Sequence, residues 1–226
     1  NGSSWITLWS TYFARQFLPG VRVIQVGNEA VQLNFMAAHR RGEPCPPQIN
    51  IDLFVSYAED LVRLHGMDAL IITCSTMNRA AASVKEAMAK HRIPVVQIDE
   101  PMMEAAVERG GKILVVATHG PTVKNTQQLL RETAERKGIQ VDFAGATIED
   151  AFTYLGNGDI QAHNDAIAGA IRDACRKEPC DIAVLAQLSM SVFKLSYPNC
   201  ERTFGMPVLT SGECGFQRIR DLLTGT

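Results

Sequence analysis

The sequence predicts an α/β fold in two related lobes, each a parallel sheet flanked by helices. Three observations predict it. Short runs, almost wholly apolar and β-branched, alternate with segments of helix length, the pattern of strands buried on both faces of a parallel sheet. One block of the chain recurs without gaps 113 residues later (181 − 68 and 190 − 77). The composition, 226 residues with 46% hydrophobic and 20% charged, is that of an ordinary globular chain able to bury a sizeable core.

The elements follow in order. Residues 5–17 form the first segment of helix length, and 21–26 the first strand run. Further strands are predicted at 69–73, 94–98, 113–117, 141–146, 182–186 and 207–210, each bounded by Gly, Pro or polar residues. Helices are predicted at 50–65, 80–91, 121–137, 159–177 and 215–223. Asp159 reads as the N-cap of the fourth of these, and Asn28 and Glu29 as a turn and cap or as groups reaching the site. Asp99 and Glu100, before Pro101, suit a helix start, where acidic residues complement the dipole. Met102 and Met103 read as core, and His65, His91 and His163 as solvated helix residues.

The repeat sets the organisation. Asp68-Ala-Leu-Ile-Ile-Thr-Cys74-Ser-Thr-Met77 aligns on Asp181-Ile-Ala-Val-Leu-Ala-Gln187-Leu-Ser-Met190, and the same shift places Pro94 on Pro207, Val95 on Val208 and Glu100 on Glu213. The predicted division is residues 1–97 with 206–226 in the first lobe, and 98–205 in the second. The second lobe opens with strand 113–117 and the loop from Thr118 to Thr122. Its counterpart in the first lobe is the loop from Asn1 to Ser4, with no strand ahead of it. Either this sequence starts after that strand, or the first lobe has one strand fewer.

Composition also excludes. Lys and Arg total 22 against 24 Asp and Glu, a net charge of −2, and the basic residues are scattered, so a nucleic-acid partner is not expected. No apolar run approaches the roughly 18–20 residues of a membrane helix, so no membrane is spanned. The first residues lack the basic and apolar regions of a signal peptide, which places the chain in the cytoplasm as an expectation. The six cysteines show no CxxC spacing and no neighbouring His pair, so neither a disulfide framework nor a metal site is expected.

Open parallel sheets bind ligands at the carboxyl ends of their strands. Four loops stand there: Asn1 to Ser4, Cys74 to Asn78, Thr118 to Thr122, and Gln187 to Ser191. Backbone N–H groups and Ser or Thr hydroxyls at helix starts suit a carboxylate, although each hydroxyl taken singly also reads as an N-cap. The candidate binding residues are Asn1, Ser3, Ser75, Thr76, Thr118, Thr122, Gln187 and Ser189. Cys74 stands where a strand ends and a helix begins, a place that favours a thiolate able to carry a proton or attack a carbon. A small buried core residue is the plainer reading of the same thiol. Cys175, Cys180, Cys200 and Cys214 read as structural, and Cys45, in a Pro-rich loop, as exposed.

Cys74-Ser75-Thr76 after an apolar strand, the repeat, the loop from Thr118 to Thr122, and the run from Val184 to Met190 with Met206 to Ser211 together resemble the aspartate/glutamate/hydantoin racemase superfamily, in a branch with a single active-site cysteine. The resemblance covers nearly the whole chain. It implies two pseudo-symmetric lobes with the active site in the cleft between them, Cys74 and Gln187 facing each other there. It further implies no cofactor, a small carboxylate substrate and a homodimer. Typical members use two cysteines on opposite faces of the substrate α-carbon. Here the partner position of Cys74 is Gln187, which cannot titrate, and His119 is the nearby loop residue that titrates near neutrality. The expected activity is racemisation or epimerisation alpha to the carboxylate of an amino acid, hydantoin-type compound or hydroxy acid. The alternatives are decarboxylation or cis-trans isomerisation of a dicarboxylate by one thiol, or carboxylate binding without chemistry.

Overall fold

A computed structural model describes residues 2, 4–118 and 120–225. The chain divides into two compact units, residues 1–98 with 215–226 and residues 99–214. All strand pairs are parallel, and helices flank them.

In unit 1, α1 (Ser4–Phe17), α2 (Glu29–Arg40), α3 (Gln48–His65) and α4 (Ala81–Ala89) surround two paired strands, β1 (Leu70–Ile72) and β2 (Val95–Gln97). Residues 21–26, read above as a strand, join no ladder. They run without regular structure, and Val21 and Val23 are 42% and 44% exposed. β-branched residues fit a pleated surface when a neighbouring strand pairs with them, and no described strand forms a ladder with this segment. Helix α2 was not read from the sequence as a segment. Asn28 starts it: its side chain accepts from Ala30 N–H at 3.0 Å and donates to Tyr57 Oη at 2.7 Å. Buried Asn50 then ties α2 to α3, donating to Val31 O at 3.1 Å and accepting from Asn34 at 2.8 Å.

Unit 2 holds a four-stranded sheet in the order β4-β3-β5-β6, from β3 (Gly111–Ala117), β4 (Val141–Thr147), β5 (Ile182–Leu185) and β6 (Val208–Thr210). Its helices are α5 (Glu100–Arg109), α6 (Gly120–Lys137), α7 (Glu149–Gly156), α8 (Ile160–Lys177), α9 (Phe193–Ser196) and α10 (Cys200–Phe204). β5 is fully buried and β3 is buried over its last five residues, as near-continuous apolar runs demand. One cluster packs Met102, Met103 and Leu130 against Ile113, Val115 and Val184 on one face of the sheet. Another packs Ile167, Ile171 and Phe193 against Leu114, Val116 and Leu185 on the other.

The final helix, α11 (Ser211–Thr224), contains the division between the units. The boundary expected at 206 therefore falls later. Strand β6 belongs with unit 2 because it pairs with β5, Ala183 N–H reaching Pro207 O at 3.0 Å. Phe216 packs in unit 1, stacked on Phe13 with ring centroids 6.2 Å apart. Gly215 permits the close approach of this helix to β2's end: a Cβ there would lie 2.5 Å from Ile98 Cγ1 and 2.9 Å from its carbonyl oxygen.

The structure corrects His163. It is fully buried in α8 rather than solvated, and its Nδ1–H donates to Ala151 O at 2.8 Å while Nε2 has no partner. Burial lowers its pKa from the ordinary value of about 6.5. Below that value the unfolded chain takes up a proton that the buried ring resists. The stability of unit 2 is thus intact above pH of about 6.5 and declines as pH falls towards the lower folded pKa. Urea midpoints measured from pH 7.5 to pH 5 should show this loss, and His163→Gln, which keeps a donor for Ala151, should flatten it.

Candidate active site

The repeat seen in the sequence is also a repeat of backbone geometry. Leu70 pairs with Val95 as Ala183 pairs with Val208, each residue shifted by 113. Met77 N–H returns to Cys74 O at 3.0 Å, and Met190 N–H returns to Gln187 O at 3.0 Å. Cys74 and Gln187 therefore hold the same place in the two units: extended backbone at the end of a strand, ahead of a short 3₁₀ turn, Ser75–Ala80 or Leu188–Val192.

In unit 1 the structure brings Cys74 and Thr76 together. The Cys74 Sγ lies 3.1 Å from Thr76 Oγ1, and that hydroxyl donates to Gln32 Oε1 at 2.9 Å. A threonine hydroxyl has one hydrogen, and Gln32 takes it, so the Thr76 oxygen is left to receive the hydrogen of the thiol. Cys74 is 4% exposed, and Gly2 approaches it so closely that a Cβ there would sit 3.0 Å from the sulfur. Gln32, on α2, was not marked in the sequence. A glutamine inside an unread helix carries no signal of its own, and only the fold brings it to Thr76. Ser75 is half-buried in the same turn and has further polar interactions.

In unit 2 the structure brings Thr118 and Gln187 together. Gln187 Oε1 accepts from Thr118 N–H at 2.8 Å and from Thr118 Oγ1 at 2.9 Å. Both residues are buried. The amide oxygen thus clamps the end of β3. Ser189 and Thr122 are half-buried, in the 3₁₀ turn and the first turn of α6. Asn1, Ser3 and His119 lie outside the described residues.

Burial raises the pKa of four cysteines, Cys45, Cys180, Cys200 and Cys214. Burial, with a smaller effect from neighbouring Cys175, pushes Cys180 up to about 11. Burial, helped by Glu213, pushes Cys214 up to about 11. Burial also raises Cys200, and both burial and Glu43 raise Cys45, which is half-buried rather than exposed. All six are free. No cluster of three or more His, Cys, Asp or Glu able to hold a metal occurs among the described residues.

The comparison with known proteins decides the family. Residues 46–219 match the model of the Asp/Glu/hydantoin racemase family. The chain belongs to this family. As an Asp/Glu/hydantoin racemase family member it is an enzyme of the isomerase, racemase-like class. Its fold is similar to that of a glutamate racemase isoform from Bacillus anthracis, at 16% identity and a TM-score of 0.66, covering 99% of this chain and 79% of that one. It is similar to an aspartate racemase homologue from Pyrococcus horikoshii, at 15% identity and a TM-score of 0.66, covering 97% and 92%. An allantoin racemase from Klebsiella pneumoniae shares 16% identity and a TM-score of 0.66, over 99% of this chain and 84% of that one. No curated protein matches the chain. Among the described residues, no helix of this racemase family member is long and apolar enough to cross a membrane.

Proposed function

We propose that this racemase family member moves a proton at a carbon alpha to a carboxylate, without a cofactor, and that Cys74 carries the proton. The observation that supports this reading is the local setting of the thiol. It stands at a strand end ahead of a 3₁₀ turn, 3.1 Å from the Thr76 hydroxyl, whose hydrogen can turn from Gln32 to a thiolate when the sulfur is ionised. A thiolate at Cys74 accepts the α-proton, leaving a carbanion stabilised by the adjacent carbonyl group, and the resulting thiol returns a proton to that carbon. The substrates proposed are amino acids, hydantoin-type compounds and hydroxy acids. Ser75, Thr76, Thr118, Thr122, Gln187 and Ser189, with Asn1 and Ser3, are the groups proposed to hold the carboxylate.

Gln187 favours a second reading. It occupies the place of Cys74 in the repeat, cannot titrate, and spends its amide oxygen on Thr118. With one thiol alone, a proton leaves and returns on the same face, which exchanges hydrogen but does not invert the carbon. Inversion needs a second carrier, for which His119 is proposed. Without one, the same thiol suits decarboxylation or cis-trans isomerisation of a dicarboxylate.

Incubation of a panel of α-substituted carboxylic acids in heavy water separates these readings. A racemase places deuterium at the α-carbon of recovered substrate and inverts it at a matching rate. Exchange that far outruns inversion identifies Cys74 acting alone. Carbon dioxide release with label only in product identifies a decarboxylase, and geometric isomers identify the cis-trans reaction. Absence of exchange and of products, with a melting temperature raised by the acids, would overturn the catalytic proposal in favour of a carboxylate binder.

A further inference from the structure

Cys175 and Cys180 flank the return of the chain from α8 into the sheet of unit 2. Cys175 stands in the last turn of α8, and Cys180 two residues ahead of β5. Four residues separate them. Arg176 and Lys177 finish the helix, Glu178 is extended at φ −152° and ψ 119°, and Pro179, which has no N–H, cannot continue a helix. The chain thus doubles back, and the Cys180 thiol comes within hydrogen-bonding reach of Cys175. Both side chains pack against the buried cluster that contains Ile167, Ile171 and Leu185. Both are free and only half-buried, so a small solute can reach them.

Their surroundings give the two sulfurs different parts. Burial first, then the charge and hydrogen bond of Cys175, push Cys180 up to about 11, while Lys112 opposes the rise. At neutral pH Cys180 therefore keeps its proton, which the Glu178 carbonyl oxygen at 3.4 Å or a thiolate at Cys175 can accept. Cys175 is left as the sulfur that reacts first. A thiolate beside a retained thiol is the arrangement that thiol–disulfide exchange needs, with one sulfur to attack and one to resolve. Among the described residues no group of three or more His, Cys, Asp or Glu gathers to hold a metal, so the chemistry open to this pair is with sulfur.

We propose that Cys175 and Cys180 form a redox modification site, which a low-molecular-weight disulfide converts to an internal disulfide tying the end of α8 to the approach to β5. The Cys175 thiolate attacks one sulfur of the outside disulfide, and the other sulfur leaves as a thiolate. A mixed disulfide at Cys175 results. Cys180 then gives its proton to solvent and attacks the Cys175 sulfur, and the second outside sulfur leaves as a thiolate. Two electrons pass from the pair to the outside disulfide, which takes up two protons and ends as two thiols. The bridge spans the last turn of α8, whose closing bond runs from Glu178 N–H to Ala174 O at 3.0 Å. A cross-link there restrains the fraying that helix ends otherwise undergo.

Incubation of the full chain with glutathione disulfide, then alkylation of the remaining thiols and tryptic mapping, tests the site. Trypsin cuts after Arg176 and Lys177, between the two cysteines, so the internal disulfide appears as residues 173–176 joined to 178–194. The joined peptides should form at least about tenfold faster than half-buried Cys45 takes up glutathione, and dithiothreitol should separate them. Amide exchange at Glu178 should slow at least about tenfold on oxidation. Cys180→Ser should stop at a mixed disulfide on Cys175, and Cys175→Ser should take up glutathione at least about tenfold more slowly than Cys180→Ser. The wild-type map stands without either variant. Both cysteines recovered alkylated, with no joined peptides, would overturn the proposal. Glutathione on Cys180 in place of Cys175 would overturn it too, as would disulfides spread without preference over all six cysteines. Neither readout involves Cys74 or a substrate, so the proposed chemistry and the proposed disulfide fail separately.

Discussion

Cys74→Ser lowers α-proton exchange by about 10²–10⁴-fold, the range that a positioned acid/base supplies, while carboxylate binding survives. The hydroxyl keeps the size of the side chain and its bond to Thr76, so the turn Ser75–Ala80 is retained. It loses the chemistry, because a hydroxyl is a far weaker acid than a thiol and holds no negative charge near neutrality. The other cysteines provide the controls. Cys180 and Cys214, both pushed up to about 11 by burial, stay protonated at neutral pH and cannot substitute for a lost thiolate. Cys180→Ser and Cys214→Ser should therefore leave exchange within about twofold of wild type, against the loss expected at Cys74. Exchange and melting-temperature shifts measured on the same acid decide the matter. Full activity in Cys74→Ser would end the assignment, and loss of binding together with activity would make the residue a packing group instead.

Phe193→Ala destabilises the chain by about 3–5 kcal/mol, the usual cost of emptying a buried aromatic site. Phe193 is fully buried and stacked on Tyr197 with centroids 4.7 Å apart, with Phe204 at 5.8 Å completing the cluster. Its backbone N–H also closes the turn Leu188–Val192, reaching Met190 O and Ser191 O. The cavity would thus weaken the sheet face formed by Leu114, Val116 and Leu185 and loosen the loop that carries Gln187. Against a typical total of about 5–15 kcal/mol this is a large fraction. Urea unfolding gives the magnitude, and hydrogen exchange gives the place: protection should fall most in β3 and β5. A loss below about 1 kcal/mol would show that Tyr197 and Phe204 refill the site.

The predicted strands that the structure contains share one property: their partners are encoded nearby as similar apolar runs. β3, β5 and β6 were readable because burial on both faces removes the alternation that would make a strand ambiguous. The run at residues 21–26 has the same local chemistry and forms no ladder, since a strand is defined by its neighbour and not by its own residues. Helices α2, α5 and α7 escaped segment-level reading for the opposite reason. They are short, and their starts are set by Asn28, by Pro101 and by the turn out of β4 rather than by long periodicity. His163 was read as solvated because helix position alone does not reveal which face a neighbour will cover.

By itself the sequence determined the α/β class, the 113-residue repeat and the equivalence of Cys74 with Gln187, because each depends on residue order and side-chain type alone. Cys74, Thr76, Thr118 and Gln187 were all named from strand ends. Tertiary structure alone decided their bonds. It brought Gln32, 44 residues before Thr76, to take the hydroxyl hydrogen of that threonine. It also turned the amide oxygen of Gln187 to Thr118, 69 residues away. Hydrogen-bond direction depends on which acceptor a donor can reach, and that reach is set by how helices and strands pack, a quantity with no local trace in the chain.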